Sequence, residues 1–374
     1  MIKQNRTESL SIAAVSGSHF VYSSFSLWLT LGAIAEGASG RTRAELSNFL
    51  LLPHDECFKN QYYQLATTLE PASDDVTLSR SSILIFDENV NINGYWEKLV
   101  YSNSLLRTSS LPIKSNPIEA ADFIRKVLDL QLPAPNLEGN SVIVDTLNFE
   151  GLWTDAFSDA LIERAPFYDD VGKKIGYVDL MRVKRRVRMA YMPSMNSKIL
   201  ELPVGFGSRY RMLFALSLGN TQVRQSIPQL MGTVFFEILD NIKESIIPLE
   251  VAIPRFRMTT EIDMRAILEN MGVEALWTDI EGTRNISEPA ALPSSFIQRT
   301  TVTFDSTGVR APIQEVINIV PSHMQARGGE LETGLDPILG KDFIVEKPFL
   351  FGLFDSKTYT CLFCAAFSAP TYKI

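Results

Sequence analysis

Phe296-Ile297-Gln298-Arg299-Thr300-Thr301-Val302-Thr303-Phe304-Asp305-Ser306-Thr307-Gly308 is a strand that ends in a break. β-Branched and aromatic residues fill it as far as Phe304, and Asp, Ser, Thr and Gly then interrupt it. Between Gly308 and Pro348 lie 39 residues rich in Pro, Gly and charge, with only VINIV (316–320) as a strand candidate. A loop of that length in a compact domain is functional or disordered. The strand KPFLFGLF (347–354) receives the chain again.

Further strands are expected at SSILIF (81–86), SVIVDTLNF (141–149), KILELPV (198–204), RMLFALSL (211–218) and LEVAIPRF (249–256). Near the N-terminus, SFSLWLTLGAIAEG reads as a helix with Ser23, Ser24 and Ser26 as start candidates and Gly37 as its stop. A second helix is expected from about Thr42, and helical patterns occupy 117–130 and 261–276. Helices and long strands without regular βαβ repetition predict an α+β fold with large mixed or antiparallel sheets. No linker divides the 374 residues, so a single domain over 1–374 is expected, with an exposed loop at about 309–346.

Hydrophobic residues make up 45% of the chain, enough for a sizeable core. A net charge of −8 gives no global attraction to nucleic acid. No apolar run approaches the roughly 18 residues that span a bilayer, so a soluble, monomeric globule without a membrane anchor is the expectation. No apolar signal core is legible at the N-terminus. Three cysteines, Cys57, Cys361 and Cys364, are too few for a disulfide framework. Cys361 and Cys364 form a CxxC in an apolar run where strand alternation sends them to opposite faces, so neither metal nor cofactor is expected there. The His residues, His19, His54 and His323, come with no nucleophile elbow, P-loop or zinc spacing, and catalysis is not expected.

Several segments, in the same order along nearly the whole chain, resemble the serpin superfamily. Val21-Tyr22-Ser23-Ser24-Phe25-Ser26 and Glu36-Gly37-Ala38-Ser39-Gly40-Arg41-Thr42 are similar to its helix B and the turn beyond it. Asp145 to Trp153, DTLNFEGLW, resembles the central strand that carries a near-universal tryptophan. Leu202-Pro203, Ile253-Pro254-Arg255-Phe256 and Lys347-Pro348-Phe349-Leu350-Phe351 match three further blocks, although Glu346 replaces the usual Asp, Asn or Gln. The resemblance implies the serpin fold: a large mixed central sheet, two smaller sheets and surrounding helices. It also implies compaction, because Pro53 to Val76 leaves little room for helix D and the segment before Ser141 is short for helix F.

In the family, a protease cleaves the exposed reactive-centre loop, forms an acyl-enzyme, and is carried away as the loop inserts into the central sheet. Insertion must outrun deacylation. Residues that enter a packed sheet must be small on the buried side, donate ladder hydrogen bonds and carry no unpaired charge. The resemblance places the hinge at Gly308, followed by Val309, Arg310, Ala311, Pro312, Ile313, Gln314 and Glu315. If Val309 faces inward, period two also turns Ala311, Ile313 and Glu315 inward. Ala311 fits, Glu315 would be a buried charge, and Pro312 removes a ladder donor. The hinge therefore points to a weak or non-inhibitory member that binds a protein or polyanion. The alternative is an active inhibitor of a serine (trypsin-like) or cysteine protease. Counting from Gly308 puts the scissile bond near Ser322-His323, and counting back from Pro348 puts it near Asp336-Pro337, with Arg327-Gly328 between them.

The positions matching the family's sheet-opening cluster are Ser23, Ser26, Asp145 and Gln298, with Trp153 at the strand end. Asp145 and Gln298 replace the usual Asn and His. Separately, Arg182-Val183-Lys184-Arg185-Arg186-Val187-Arg188, if extended, sets Arg182, Lys184, Arg186 and Arg188 on one face. Such a stripe would attract a glycosaminoglycan or another polyanion, or be solvated by local carboxylates. Asn5-Arg6-Thr7 and Asn285-Ile286-Ser287 are glycosylation sequons that matter in an extracellular protein; a cytoplasmic setting is the alternative.

Overall fold

The computed structural model describes residues 19–53, 55–69, 72–73, 75–127, 137–207, 209–232, 235–310 and 341–373. The chain enters on strand β1 (Phe20–Tyr22) and turns directly into helix α1 (Ser24–Gly37). Ser23 is the N-cap: its hydroxyl accepts from the Ser26 amide at 3.0 Å, satisfying one of the helix's otherwise orphaned donors. Almost every residue of α1 is buried, so this helix lies inside the protein rather than on its surface. Packing requires a glycine at its last position: a Cβ on Gly37 would sit 2.7 Å from Trp96 Cδ1. Helices over Gly40–Leu50 and Glu56–Leu69 follow. The second, 14 residues long, corrects the expectation that the stretch after Pro53 leaves little room for a helix.

The central sheet is built from β2 (Val76–Asp87), β3 (Arg107–Leu111), β4 (Ser141–Gly151), β11 (Leu249–Asp263) and β12 (Pro293–Phe304). Its order is β3-β2-β4-β12-β11. The β4–β12 pair is parallel, in register from Ile143 beside Phe296 to Glu150 beside Thr303 after a register shift that follows Ser141 beside Pro293, while the pairs β2–β4 and β12–β11 are antiparallel. Helix α2 (Pro117–Val127) covers the front of this sheet, where Ala120 and Ile124 pack with Ile85, Val142, Val144 and Ile297. The expected helix at 261–276 is not continuous: β11 runs on to Asp263, and short helices at Arg265–Asn270 and Ala275–Thr278 come after it.

Between β4 and β11 the chain runs through β5 (Trp153–Asp155), β6 (Ile162–Tyr168), β7 (Lys174–Arg185), β8 (Arg188–Met192), β9 (Ser197–Val204) and β10 (Tyr210–Ser217). After β12 come β13 (Gly308–Arg310), β14 (Phe343–Ile344), β15 (Phe349–Asp355) and β16 (Thr360–Phe367). An antiparallel second sheet has the order β1-β16-β15-β10-β9-β8. A third, smaller one shares β11: its first half pairs with β7, which pairs with β6, and β14 lies parallel to β11. Aromatic rings join the central and second sheets, with Phe256 at 4.5 Å from Phe367 and 5.0 Å from Phe304, and Phe304 at 5.4 Å from Phe351. Each such pair contributes about 0.5–1.5 kcal/mol beyond its buried area. Cys361 and Cys364 are both buried in β16, while Cys57 is exposed.

Candidate functional site

Alternation on the central strands aims one row of side chains at α1. On β4 this row is Ile143, Asp145, Leu147 and Phe149; on β12 it includes Phe296, Gln298, Val302 and Phe304. Asp145 and Gln298 are register partners on the β4–β12 pair and are fully buried. The Gln298 amide donates to Asp145 Oδ2 at 2.9 Å and to the Ser23 carbonyl at 3.0 Å, while its oxygen accepts from the Ser23 amide at 3.1 Å. Ser23 also donates its hydroxyl to the Leu362 carbonyl at 2.6 Å, and Ser26 donates to Asp145 Oδ1 at 2.6 Å. The four residues predicted from the sequence thus meet in one polar cluster.

Three members of that cluster were not anticipated: Arg80 and Ser82 on β2, and Thr30 one turn beyond Ser26. Arg80, its side chain 3% exposed, donates through Nε to Ser26 Oγ at 2.6 Å and lies 3.8 Å from Asp145 Oδ1. Its other nitrogens reach Thr30 Oγ1 at 3.0 Å and the carbonyls of Leu105 at 2.8 Å and Ser104 at 3.2 Å. Thr30 Oγ1 shares a 2.7 Å hydrogen bond with Ser82 Oγ. A buried carboxylate needs a cation or several donors; Asp145 has both. The Ser26 hydroxyl connects them, accepting from the guanidinium and donating to the carboxylate. The sequence held a signal for Arg80, since it interrupts the inward apolar row Leu78, Leu84, Phe86 of β2.

Trp153 is not in this cluster. It lies at the far end of β4, stacked on Phe304 at 5.5 Å, and its Nε1 donates to the Asp305 carbonyl at 2.7 Å. The Trp153 amide donates to the Thr307 carbonyl at 3.0 Å and the Phe157 amide to the Ser306 carbonyl at 2.9 Å. Strand β13 then runs parallel to β5, with Gly308 beside Trp153 and Arg310 beside Asp155. The chain leaving β12 therefore continues in line along β5, and among the described residues no third strand enters the β4–β12 seam.

A family model described as Serpin (serine protease inhibitor) matches residues 9–370. The chain belongs to the serpin family. Iripin-2 of Ixodes ricinus is 23% identical over 350 residues, covering 90% of this chain and 84% of that protein. Among solved structures, Manduca sexta serine protease inhibitor (Serpin)-12 matches with a TM-score of 0.80 at 18% identity, covering 100% of this chain and 99% of that one. Native protease nexin-1 with heparin matches with a TM-score of 0.80 at 16% identity, covering 99% and 98%. These likenesses show the serpin fold, in a family composed mostly of protease inhibitors.

By its position in a serpin, β13 is where the expected reactive-centre loop begins. Ala311, Pro312, Glu315, Ser322, His323, Arg327 and Gly328 lie outside the described residues, as does Asn5; of Val309 and Arg310 the backbone is described. The cationic stripe is not a single strand face. β7 ends at Arg185, Arg186 falls in the link, and Arg188 opens β8. Arg182 is paired with Glu163 and Glu250, and Arg188 with Glu201. Lys184 and Arg186 are exposed and have no acidic partner among the described residues. Asn285 of the second sequon is exposed. Among the described residues, no group of three or more His, Cys, Asp and Glu could hold a metal ion.

Proposed function

We propose that this serpin is a weak or non-inhibitory member, acting by binding a protein or a polyanion rather than by trapping a protease. The observation that carries this reading is the pairing of Gly308–Arg310 with Trp153–Asp155, outside a seam already closed by the β4–β12 hydrogen bonds. To insert, the loop must give up these bonds and reverse direction at Gly308. It must then carry Pro312 into a central strand, where a donor is missing, and Glu315 into the interior, where its charge has to be neutralised or paired. Each step slows insertion relative to deacylation. Lys184 and Arg186, which have no acidic partner among the described residues, are the cations that a sulfated polysaccharide would use, and a solved neighbour of the same fold is a heparin complex. Exposed Asn285 in its sequon supports an extracellular setting.

The test is incubation with trypsin-like and papain-like proteases. Cleavage in the loop without an SDS-stable complex is expected. An SDS-stable complex overturns the reading in favour of an active suicide-substrate inhibitor. A large rise in thermal stability after nicking also overturns it, because that rise means the loop has inserted.

A further inference from the structure

We infer that the cleft between the helix Gly94–Ser102 and strand β3 is a binding site for a small aromatic acid, a flat ring that carries one carboxylate, sulfate or sulfonate group. The helix is anchored by Trp96 and Val100, both buried, and Trp96 Nε1 donates to the Ala33 carbonyl of α1 at 2.9 Å. Helical spacing then turns Gly94, Glu97, Lys98 and Tyr101 away from the core on one face. Across from that face lie Leu106, Arg107 and Thr108, and the space between is about 410 Å³. Pockets for small ligands run from about 300 to about 1,000 Å³, so one ring system with its acidic group fits.

The lining is chemically divided. Leu106 is buried and Tyr101 is 67% exposed, which gives the cleft an apolar floor and a ring open to solvent. Lys98 and Arg107 are exposed and have no acidic partner among the described residues, in a chain whose net charge is −8. Glu97, the carboxylate of the lining, accepts from the Thr108 hydroxyl, and this bond ties the helix to β3. Two unmet cations beside an aromatic ring and an apolar floor complement an anion on a flat apolar body. Arg107 offers a planar fork to the acidic group, Lys98 adds a point charge, and Tyr101 packs on the ring. A Cβ on Gly94 would meet nothing within 4 Å, so the end of the cleft at the start of the helix is open. The site shares no residue with the Lys184 and Arg186 surface or with β13, so it goes beyond the proposed function and is tested separately from it.

The experiment titrates the intact protein with anilinonaphthalene sulfonate, a fluorescent aromatic sulfonate, and follows its emission. Saturable binding to one site that weakens with added salt is expected. Two further probes separate the parts of the ligand: uncharged phenylnaphthylamine, which has the rings without the anion, and inorganic sulfate, which has the anion without the rings. Each is expected to bind at least about tenfold more weakly than the sulfonate. Lys98→Ala/Arg107→Ala is expected to raise the Kd about 5- to 30-fold and Tyr101→Ala about 3- to 10-fold, while Lys184→Ala/Arg186→Ala leaves it unchanged. The inference is overturned by the absence of saturable binding, by an unchanged Kd in Lys98→Ala/Arg107→Ala, by equal binding of the uncharged probe, or by an equal loss in Lys184→Ala/Arg186→Ala. Should the Lys98 and Arg107 variant not fold, Gly94→Phe fills the open end of the cleft and keeps both charges; a marked loss of binding is expected there, and an unchanged Kd is equally fatal.

Discussion

The ammonium of Lys198 donates to the Asp342 carbonyl at 3.2 Å and to the neighbouring Lys341 carbonyl at 3.1 Å. Lys198 lies buried on β9, and burial lowers its pKa below the ordinary lysine value. The contact pins Lys341 and Asp342, just before β14. Asp342 adds a second fastening by accepting the Glu250 amide at 2.9 Å. Lys198→Met keeps the apolar stem and removes both donors. It is expected to cost about 1–2 kcal/mol, read by chemical unfolding, and to raise amide exchange at Phe343–Val345 above that of β11.

Trp153 joins core packing to the start of β13, where Gly308 lies beside it. Trp153→Phe retains an aromatic ring against Phe304 and loses the donor to Asp305, so a loss of about 1 kcal/mol is expected. Trp153→Ala also empties a fully buried site among Phe157, Phe214 and Phe304, and a loss of about 3–5 kcal/mol is expected. Urea denaturation of both variants measures the difference. Equal losses would mean that the ring contributes nothing beyond its hydrogen bond.

His19 supplies a pH dependence. Its Nδ1 accepts from the amides of Ser368 and Ala369, each at 3.2 Å, and burial followed by nearby Lys373 lowers its pKa below 6.5. The folded protein thus holds the neutral ring, and the unfolded chain binds the proton first. This contribution to stability is complete above pH 6.5 and is lost as pH falls from there towards the lowered folded value. His19→Asn keeps an acceptor near the same place without titrating. Melting temperatures should fall more in wild type than in His19→Asn as the pH is lowered from about one unit above the ordinary histidine value to about one unit below it, and parallel curves would refute the assignment.

Removal of Lys184 and Arg186, unpaired with acids among the described residues, tests the proposed polyanion surface. Lys184→Ala/Arg186→Ala is expected to elute from immobilised heparin at lower salt than wild type, whereas Arg182→Ala, whose charge is already met by Glu163 and Glu250, should shift elution less. Reversal of that order would place the interaction elsewhere.

The strands are legible in the sequence because their signal is local. A run such as Phe296 to Phe304 shows its β-branched content and its period without reference to any partner, and the same period sets Asp145 and Gln298 on one side of their strands. The cap at Ser23 is legible for a similar reason, since its acceptor and donor lie three residues apart. The helix at Glu56–Leu69 and the continuation of β11 beyond Phe256 escape such a reading, because polar stretches carry weak periodicity.

What the sequence alone supplied is the family resemblance, seven of the strands in their order along the chain, and, through that resemblance, Ser23, Ser26, Asp145 and Gln298 as members of one cluster. Only the tertiary structure decided what those residues meet. Arg80 reaches Ser26 across 54 residues, and Gln298 reaches Ser23 across 275. It likewise decided that Lys198 fastens Lys341 and Asp342, and that a cationic stripe continuous in sequence breaks after Arg185 and is half neutralised by Glu163, Glu250 and Glu201. The physical reason is range: backbone geometry repeats within a few residues and fixes which way a side chain points, whereas a buried charge is settled by whichever distant donors the packed sheets bring within about 3 Å of it.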